Sequence, residues 1–327
     1  MTTRPGVTDI RQARSNRFQP AYLDLFYSGE LLKRSQLARE HLHRCDLCAQ
    51  YCRVDRSLDE AKTVCRTGIH ARLHESVNCS IREAPLGDDS SVGSLQFAGC
   101  NLRCEYCQDW RVSQSGEGQL VNAEQLAETL LERQQQGYLK VDLVSPSHVV
   151  AQILEALVIA CERGFSLPLI YSSGGYDSLE ALQLLDGVID IYAPDIKYGD
   201  NIPARKYSHV RNYVEYSHIA LREMHRQVGD LIINEDGIAR RGLLVRHLVL
   251  PANQAATKRV LAHISADISP DTYVNLMDGY EPRYHAHTYD KLNRPISETE
   301  IRQAIRCGDR CGLHRLDLHM SRNWTTL

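Results

Sequence analysis

From residue 92 onward, short apolar segments of strand length alternate with longer helical patterns, and this alternation restricts the fold more than any other feature of the chain. Strands are predicted over 92–98, 141–144, 169–171, 188–192, 243–250 and 273–276. Between the first two, Asn122 with Gln125 three residues on makes a capping box, and Ala123, Leu126, Ala127, Leu130 and Leu131 fall on one helical face that Gly137 ends. Further helices are predicted over 149–163, 179–185 and 213–227, and Asp236-Gly237 suggests a small hairpin within 231–239. A second capping box, Ser297 with Glu300, opens the last helix. Repeated strand–helix units predict an α/β fold with a parallel sheet and outer helices, either an open doubly wound sheet or a (β/α) barrel. No Gly-x-Gly-x-x-Gly follows the first strand, which weighs against a dinucleotide-binding sheet. The polar and glycine-rich clusters at 99–107, 145–148, 172–175, 194–197, 251–253 and 278–280 all follow predicted strands. That placement favours one site built by the strand ends, as in a barrel.

Residues 1–92 read differently. One or two helices are expected over 22–43, whereas 45–78 has no long period and is rich in cysteine. A boundary is drawn near the polar run Asp88-Asp89-Ser90-Ser91, giving an amino-terminal helical and cysteine-rich metal-binding module at 1–92 and a barrel at 93–327. The amino terminus has no apolar core of a secretory signal and no stretch approaches a membrane span, so a cytoplasmic protein is expected. A net charge of −3 gives no electrostatic reason to expect a nucleic-acid partner. In that compartment eleven cysteines argue against a disulfide framework. Cys161, isolated in an apolar helical run, reads as a buried inert thiol, and Cys79, Cys307 and Cys311 receive no role.

Cys100, Cys104 and Cys107 lie on one tight loop directly after the first barrel strand, separated by three and then two residues. A cubane iron–sulfur cluster normally takes four thiolates, so three from one loop leave one iron open to a small chelating molecule. The alternative from spacing alone is a zinc site completed by a distant histidine, or a structural cluster. Cys45, Cys48, Cys52 and Cys65 form a second set of four thiols, sufficient for tetrahedral zinc or for a second cubane. Spacing does not choose between those two.

The loop Gly99-Cys100-Asn101-Leu102-Arg103-Cys104-Glu105-Tyr106-Cys107-Gln108 resembles that of the radical S-adenosylmethionine (SAM) superfamily, in its pyruvate formate-lyase-activating-enzyme-like branch. Supporting segments follow in order: Tyr171-Ser172-Ser173-Gly174-Gly175-Tyr176, Asp190-Ile191-Tyr192-Ala193-Pro194-Asp195-Ile196-Lys197, residues 241–251 and Tyr273-Val274-Asn275-Leu276-Met277. The group most similar is that of the Fe–S proteins related to the activase. The resemblance covers 93–311 and implies a partial (β/α)6 barrel.

It also implies a [4Fe–4S] cluster on Cys100, Cys104 and Cys107, with SAM bound at the open iron. Asp195 and Lys197 match an Asp-x-Lys pair that helps bind SAM, although read alone they are an ordinary surface ion pair. Arg246 matches an arginine near the methionyl carboxylate. Where many activases carry Gly-Gly-Glu for the SAM amine, this chain reads Ser145-Pro146-Ser147-His148, making Ser145 and His148 the candidates. Tyr106 and the turn Ser172, Ser173, Gly174 and Gly175 complete the expected cofactor surroundings. Met277-Asp278-Gly279 lacks a histidine that activases place there. The expected activity is reductive SAM cleavage with hydrogen abstraction from a protein glycyl residue, a peptide or a small metabolite. The expected partner is an electron donor such as flavodoxin or ferredoxin. The reading from a different class is a cysteine-rich Fe–S or zinc protein that binds or transfers electrons without cleaving SAM.

Overall fold

The computed structural model describes residues 18–57, 62–74, 83–88 and 90–318. Cys79 and the amino-terminal segment weighed above as a targeting signal lie outside these residues. The described strands are β1 (Ala71–His74), β2 (Val92–Phe97), β3 (Gln119–Val121), β4 (Lys140–Val144), β5 (Leu169–Ser172), β6 (Ile191–Tyr192), β7 (Ile232–Ile233), β8 (Ala239–Leu248), β9 (Tyr273–Met277) and β10 (Arg315–Asp317). They form one sheet in the order β10-β9-β8-β6-β5-β4-β2-β1-β3, with β7 paired to β8 as the expected hairpin. Every neighbouring pair from β2 to β10 is parallel, and β1 is antiparallel to both β2 and β3. The architecture is α/β with a mostly parallel sheet that does not close into a ring. All six predicted strands are present. β1, β3 and β10 were not foreseen, because three- or four-residue strands carry too little alternation to be read.

The helices begin where their caps demand. Asn122 accepts from the Gln125 amide and Ser297 from the Glu300 amide, and in each box the third residue returns a bond to the cap. The helix Val150–Glu162 is buried along most of its length, packed between Ala123–Gln135 and Glu30–Glu40. Cys161 on it is buried and its thiol is pushed up to about 12 by burial, as an inert core residue should be. The ten described cysteines are all free thiols. No helix among the described residues is long and apolar enough to cross a membrane.

Inside the curved sheet, side chains alternate with a period of two and build layers. Leu86, Val92, Ile170, Ile191 and Leu244 make an apolar layer at the amino-terminal end of the strands. Leu86 belongs to a short turn, Ala84–Leu86, held there by Lys140, whose ammonium donates to the Leu86 carbonyl at 2.9 Å. The residue before this turn, Glu83, then reaches into a charged middle layer. Its carboxylate receives two bonds from Arg246 of β8, at 2.7 and 3.0 Å, and one from Asn275 of β9 at 2.7 Å. Segment 83–86 is therefore threaded into the barrel end.

Removing one partner of a buried ion pair strands the other charge and costs about 3–5 kcal/mol. Glu83→Leu is expected to destabilise the protein by that order in urea unfolding followed by circular dichroism. Glu83→Leu/Arg246→Met, which removes both charges, is expected to be less destabilised than the single variant. A double variant as unstable as Glu83→Leu would show that the pairing is not what holds this layer.

Candidate active site at the strand ends

The loop after β2 is fixed by the backbone around it. The Gly99 amide donates to the Val112 carbonyl at 3.0 Å, the Arg103 amide to Ser208 at 3.1 Å and the Glu105 amide to Tyr207 at 2.8 Å. Side chains add three more ties: Gln50 to the Asn101 carbonyl, Asn101 to the Tyr176 carbonyl and Gln114 to the Leu102 carbonyl. A glycine lets the loop seat this closely. Gly99 has φ +79°, and a Cβ there would lie 2.3 Å from the Cys65 carbonyl oxygen. The turn after β5 also lies against the loop, with the end of the Leu102 side chain 2.5 Å from where a Cβ on Gly174 would stand.

The three thiols face a cavity of about 500 Å³ at the carboxyl ends of the parallel strands. Each sulfur has a donor beside it: the Leu102 amide at 3.4 Å from Cys100, the Ser208 hydroxyl at 3.0 Å from Cys104 and the Ser113 hydroxyl at 3.2 Å from Cys107. Burial pushes the thiols up, to about 12 for Cys100 and about 11 for Cys107, and Cys104 moves in the same direction. Mutual repulsion adds to this at Cys100 and Cys107, while the charge of Lys197 pulls all three back. Three soft donors that repel one another as anions, with hydrogen bonds and a lysine already aimed at their thiolate forms, suit a metal cluster that would draw off their protons. The residues fit a [4Fe–4S] group held by three thiolates. Among the described residues no three His, Cys, Asp or Glu side chains converge at the spacing of a single ion.

Most of the sequence-predicted binding residues line this same cavity: Tyr106, Ser145, Ser172, Ser173, Gly174, Asp195, Lys197 and Arg246. The Lys197 ammonium sits 2.8 Å from Asp195; burial opposes its charge, and the Asp195 carboxylate outweighs that and keeps it protonated. Ser145 takes φ +57°, a left-handed conformation for a residue with a side chain, at the end of β4. Tyr106 packs edge-on against Tyr198 and Tyr280. His148 and Gly175 are not among the lining residues. The His148 ring is fully buried behind the cysteine loop, with Nε2 3.1 Å from the Ala98 carbonyl oxygen. Burial, then the nearby Arg56 charge, lowers its pKa to about 4, so this imidazole stays neutral and supports the loop from behind. Gly175 instead shapes the turn, with φ +69° and its amide donating to the Ser173 hydroxyl.

Sequence reasoning missed two carboxylates of the cavity. Burial raises the pKa of Glu83, but the Arg246 charge overcomes this and holds it at about 2. Glu83 stands alone in an aperiodic segment, where no pattern marks it. Asp142 receives the Ser172 hydroxyl at 2.6 Å, and Ser172 in turn receives Arg246 at 3.1 Å. Burial lifts Asp142 to about 6, against the pull of Arg246 and Ser172. A charge within the apolar run Val141-Asp142-Leu143-Val144 was a legible signal of an inward polar position. The early cysteines also gather: Cys45, Cys48 and Cys65 are buried, and Cys52 lies at the edge of the same group. The neighbouring Cys52 thiol, and then the Arg56 charge, pull the Cys45 thiol down, against burial. Burial raises Cys48, and the bond to Cys45 raises Cys52. Cys307 and Cys311 lie a turn apart on the last helix, Glu298–Cys311.

No family model matches the chain. It is similar to an uncharacterized protein of Methanocaldococcus jannaschii, at 26% identity over 292 residues, 85% of this chain and 78% of the other. Among solved structures it is similar to TYW1 with a lysine-pyruvate adduct bound, at 13% identity and a TM-score of 0.47, over 74% of this chain and 84% of that one. It is also similar to methylornithine synthase, at 16% identity and a TM-score of 0.44, over 74% and 76% of the two chains.

The buried Asp142 gives a pH-dependent contribution with a definite sign. Its folded pKa is raised to about 6 from the ordinary 3.8, so the folded state holds a proton that the unfolded state loses. Stability from this group is present below about pH 4 and is lost as pH rises to about 6. The difference between wild type and Asp142→Asn should therefore shift against the wild type across that interval, by about 2–3 kcal/mol at 1.36 kcal/mol per pKa unit. Parallel stability–pH curves for the two proteins would contradict the assignment.

Proposed function

We propose that this chain is a radical SAM enzyme whose [4Fe–4S] cluster is held by Cys100, Cys104 and Cys107. The observation that carries the reading is the coincidence of the three thiols with a charged cavity at the carboxyl ends of parallel strands. When bound and reduced by one electron, such a cluster supplies cleavage of the SAM sulfonium to methionine and a 5′-deoxyadenosyl radical. The protein's own residues would bind and shield. Lys197, kept protonated by Asp195, offers a compact charge for the methionyl carboxylate close to the thiols. Arg246 would stand near the same carboxylate, oriented by Glu83 and Ser172. Ser145, at the end of β4, offers a hydroxyl to the amine. The Ser173-Gly174 turn gives backbone access, and Tyr106, Leu248, Met277 and Tyr280 give an apolar wall that excludes water.

The finer reading is activase-like: hydrogen abstraction from a protein glycyl residue, a peptide or a small metabolite presented at the cavity mouth, where Gln108, Asp109, Gly279 and Glu281 lie. The electron would come from a donor of the flavodoxin or ferredoxin type, in the cytoplasm.

Anaerobically reconstituted protein given dithionite and SAM is expected to form 5′-deoxyadenosine, and the Cys100/Cys104/Cys107→Ala variant to form none. Product from that triple variant would overturn the cluster assignment. Lys197→Ala is expected to weaken SAM binding about ten- to a hundredfold, because a hydrogen bond to a charged group contributes roughly 1.5–3 kcal/mol. Its iron content should be unchanged. Unaltered SAM affinity would remove Lys197 from the site.

A further inference from the structure

A buried arginine lies behind the cavity. Arg56 is 1% exposed. Its guanidinium donates to the Thr67 carbonyl through Nε at 2.7 Å and to the His148 carbonyl through a terminal nitrogen at 2.7 Å. The other terminal nitrogen points at the Cys45 sulfur, 3.2 Å away. Among the described residues no carboxylate pairs with it. The groups that its charge meets are the thiols of Cys65, Cys45 and Cys48. Carbonyl dipoles solvate a guanidinium but do not neutralise it, and an uncompensated charge at this depth costs several kcal/mol. Among the described residues, the groups placed to balance Arg56 are these sulfurs.

The chain around these sulfurs is wound to bring them together. Tyr51, Arg53 and Arg66 all take left-handed conformations, with φ of 43°, 55° and 55°, though none is glycine. The Cys45 amide donates to Val54 and the Arg53 amide returns a bond to the Cys45 carbonyl, closing the loop that carries Cys45, Cys48 and Cys52. Cys65 approaches from the other side, with the Thr63 hydroxyl 3.2 Å from its sulfur. Such strain persists only where surrounding interactions enforce it.

We infer that Cys45, Cys48, Cys52 and Cys65 hold a second iron–sulfur cluster, a four-thiolate cubane whose negative charge is balanced by Arg56. Each thiol gives its proton to solvent as it takes one iron of a preassembled [4Fe–4S] cluster, and no electron is transferred in that ligand exchange. A four-thiolate cubane is a net anion, and hydrogen bonds to its sulfurs are among the features that set its potential. Arg56 supplies both the charge and the bond. The Cys45 sulfur touches the guanidinium, and the Cys65 and Cys48 thiols are the further sulfurs that its charge meets. This second cluster would share a wall with the Cys100 loop, since the Cys65 carbonyl is the atom that Gly99 must be bare to admit.

The test is iron, sulfide and zinc analysis with Mössbauer spectroscopy on the full-length chain after anaerobic reconstitution. Wild type is expected to hold about eight irons and about eight sulfides, and Cys100/Cys104/Cys107→Ala about four of each, on the stoichiometry of one cubane per site. In that triple variant Arg56→Met should move the remaining cluster's reduction potential to a more negative value, while Arg56→Lys should largely restore it. Four irons in wild type with none in the triple variant, or one tightly held zinc and no iron at the early cysteines, would overturn the proposal. The wild-type count requires no folded variant. Eight irons without SAM cleavage would sink the proposed function and leave this inference standing, whereas four irons with SAM cleavage would do the reverse.

Discussion

The site is organised by the doubly hydrogen-bonded pair between Glu83 and Arg246 in the interior of the sheet. A parallel sheet with helices outside ordinarily fills its interior with branched apolar side chains. This one does so only at the amino-terminal end, and above that layer Arg246 requires a counter-charge. Glu83 supplies it from outside the strand–helix array, so the amino-terminal segment is tied to the barrel by electrostatics as well as by the pairing of β1 with β2. The same arginine reaches Ser172 and, through it, Asp142. One ion pair thus fixes the floor of the cavity and joins strands β4, β5, β8 and β9.

Above that floor, the position of the thiols follows from where parallel strands end. β2 delivers the chain directly into the cysteine loop, and the turns after β5 and β6 bring Ser173, Gly174, Asp195 and Lys197 to the same level. Close approach then depends on an absent side chain, since Gly99 admits the carbonyl of Cys65. The cysteine loop is consequently packed between the barrel mouth on one side and the amino-terminal thiols on the other. Its thiols face the cavity, and the His148 ring lies behind it.

The strand–helix order, the two capping boxes and the cysteine loop were legible because each rests on local pattern: period, cap chemistry and spacing. Lys197 and Asp195 were legible as a pair one residue apart, and the structure joins them. Residues whose role depends on distant partners were not. Glu83 meets Arg246 across 163 positions and Arg56 meets His148 across 92. No local periodicity records such meetings. His148 shows the opposite error. Its place after a strand suggested a ligand-facing side chain, but the turn at Ser145 sends the imidazole behind the loop. Asp142 lay within reach of sequence reasoning, as an ionisable residue inside a buried strand.

The most direct test of the account is whether an iron of the Cys100 cluster binds SAM itself. Electron–nuclear double resonance on the reduced protein with SAM labelled by ¹⁷O in the carboxylate and ¹⁵N in the amine reads this at the metal. The account predicts hyperfine coupling to both labels. It also predicts that the signals vanish in the Cys100/Cys104/Cys107→Ala variant. A reduced, cluster-loaded wild type that binds SAM with no coupling to either label would contradict it.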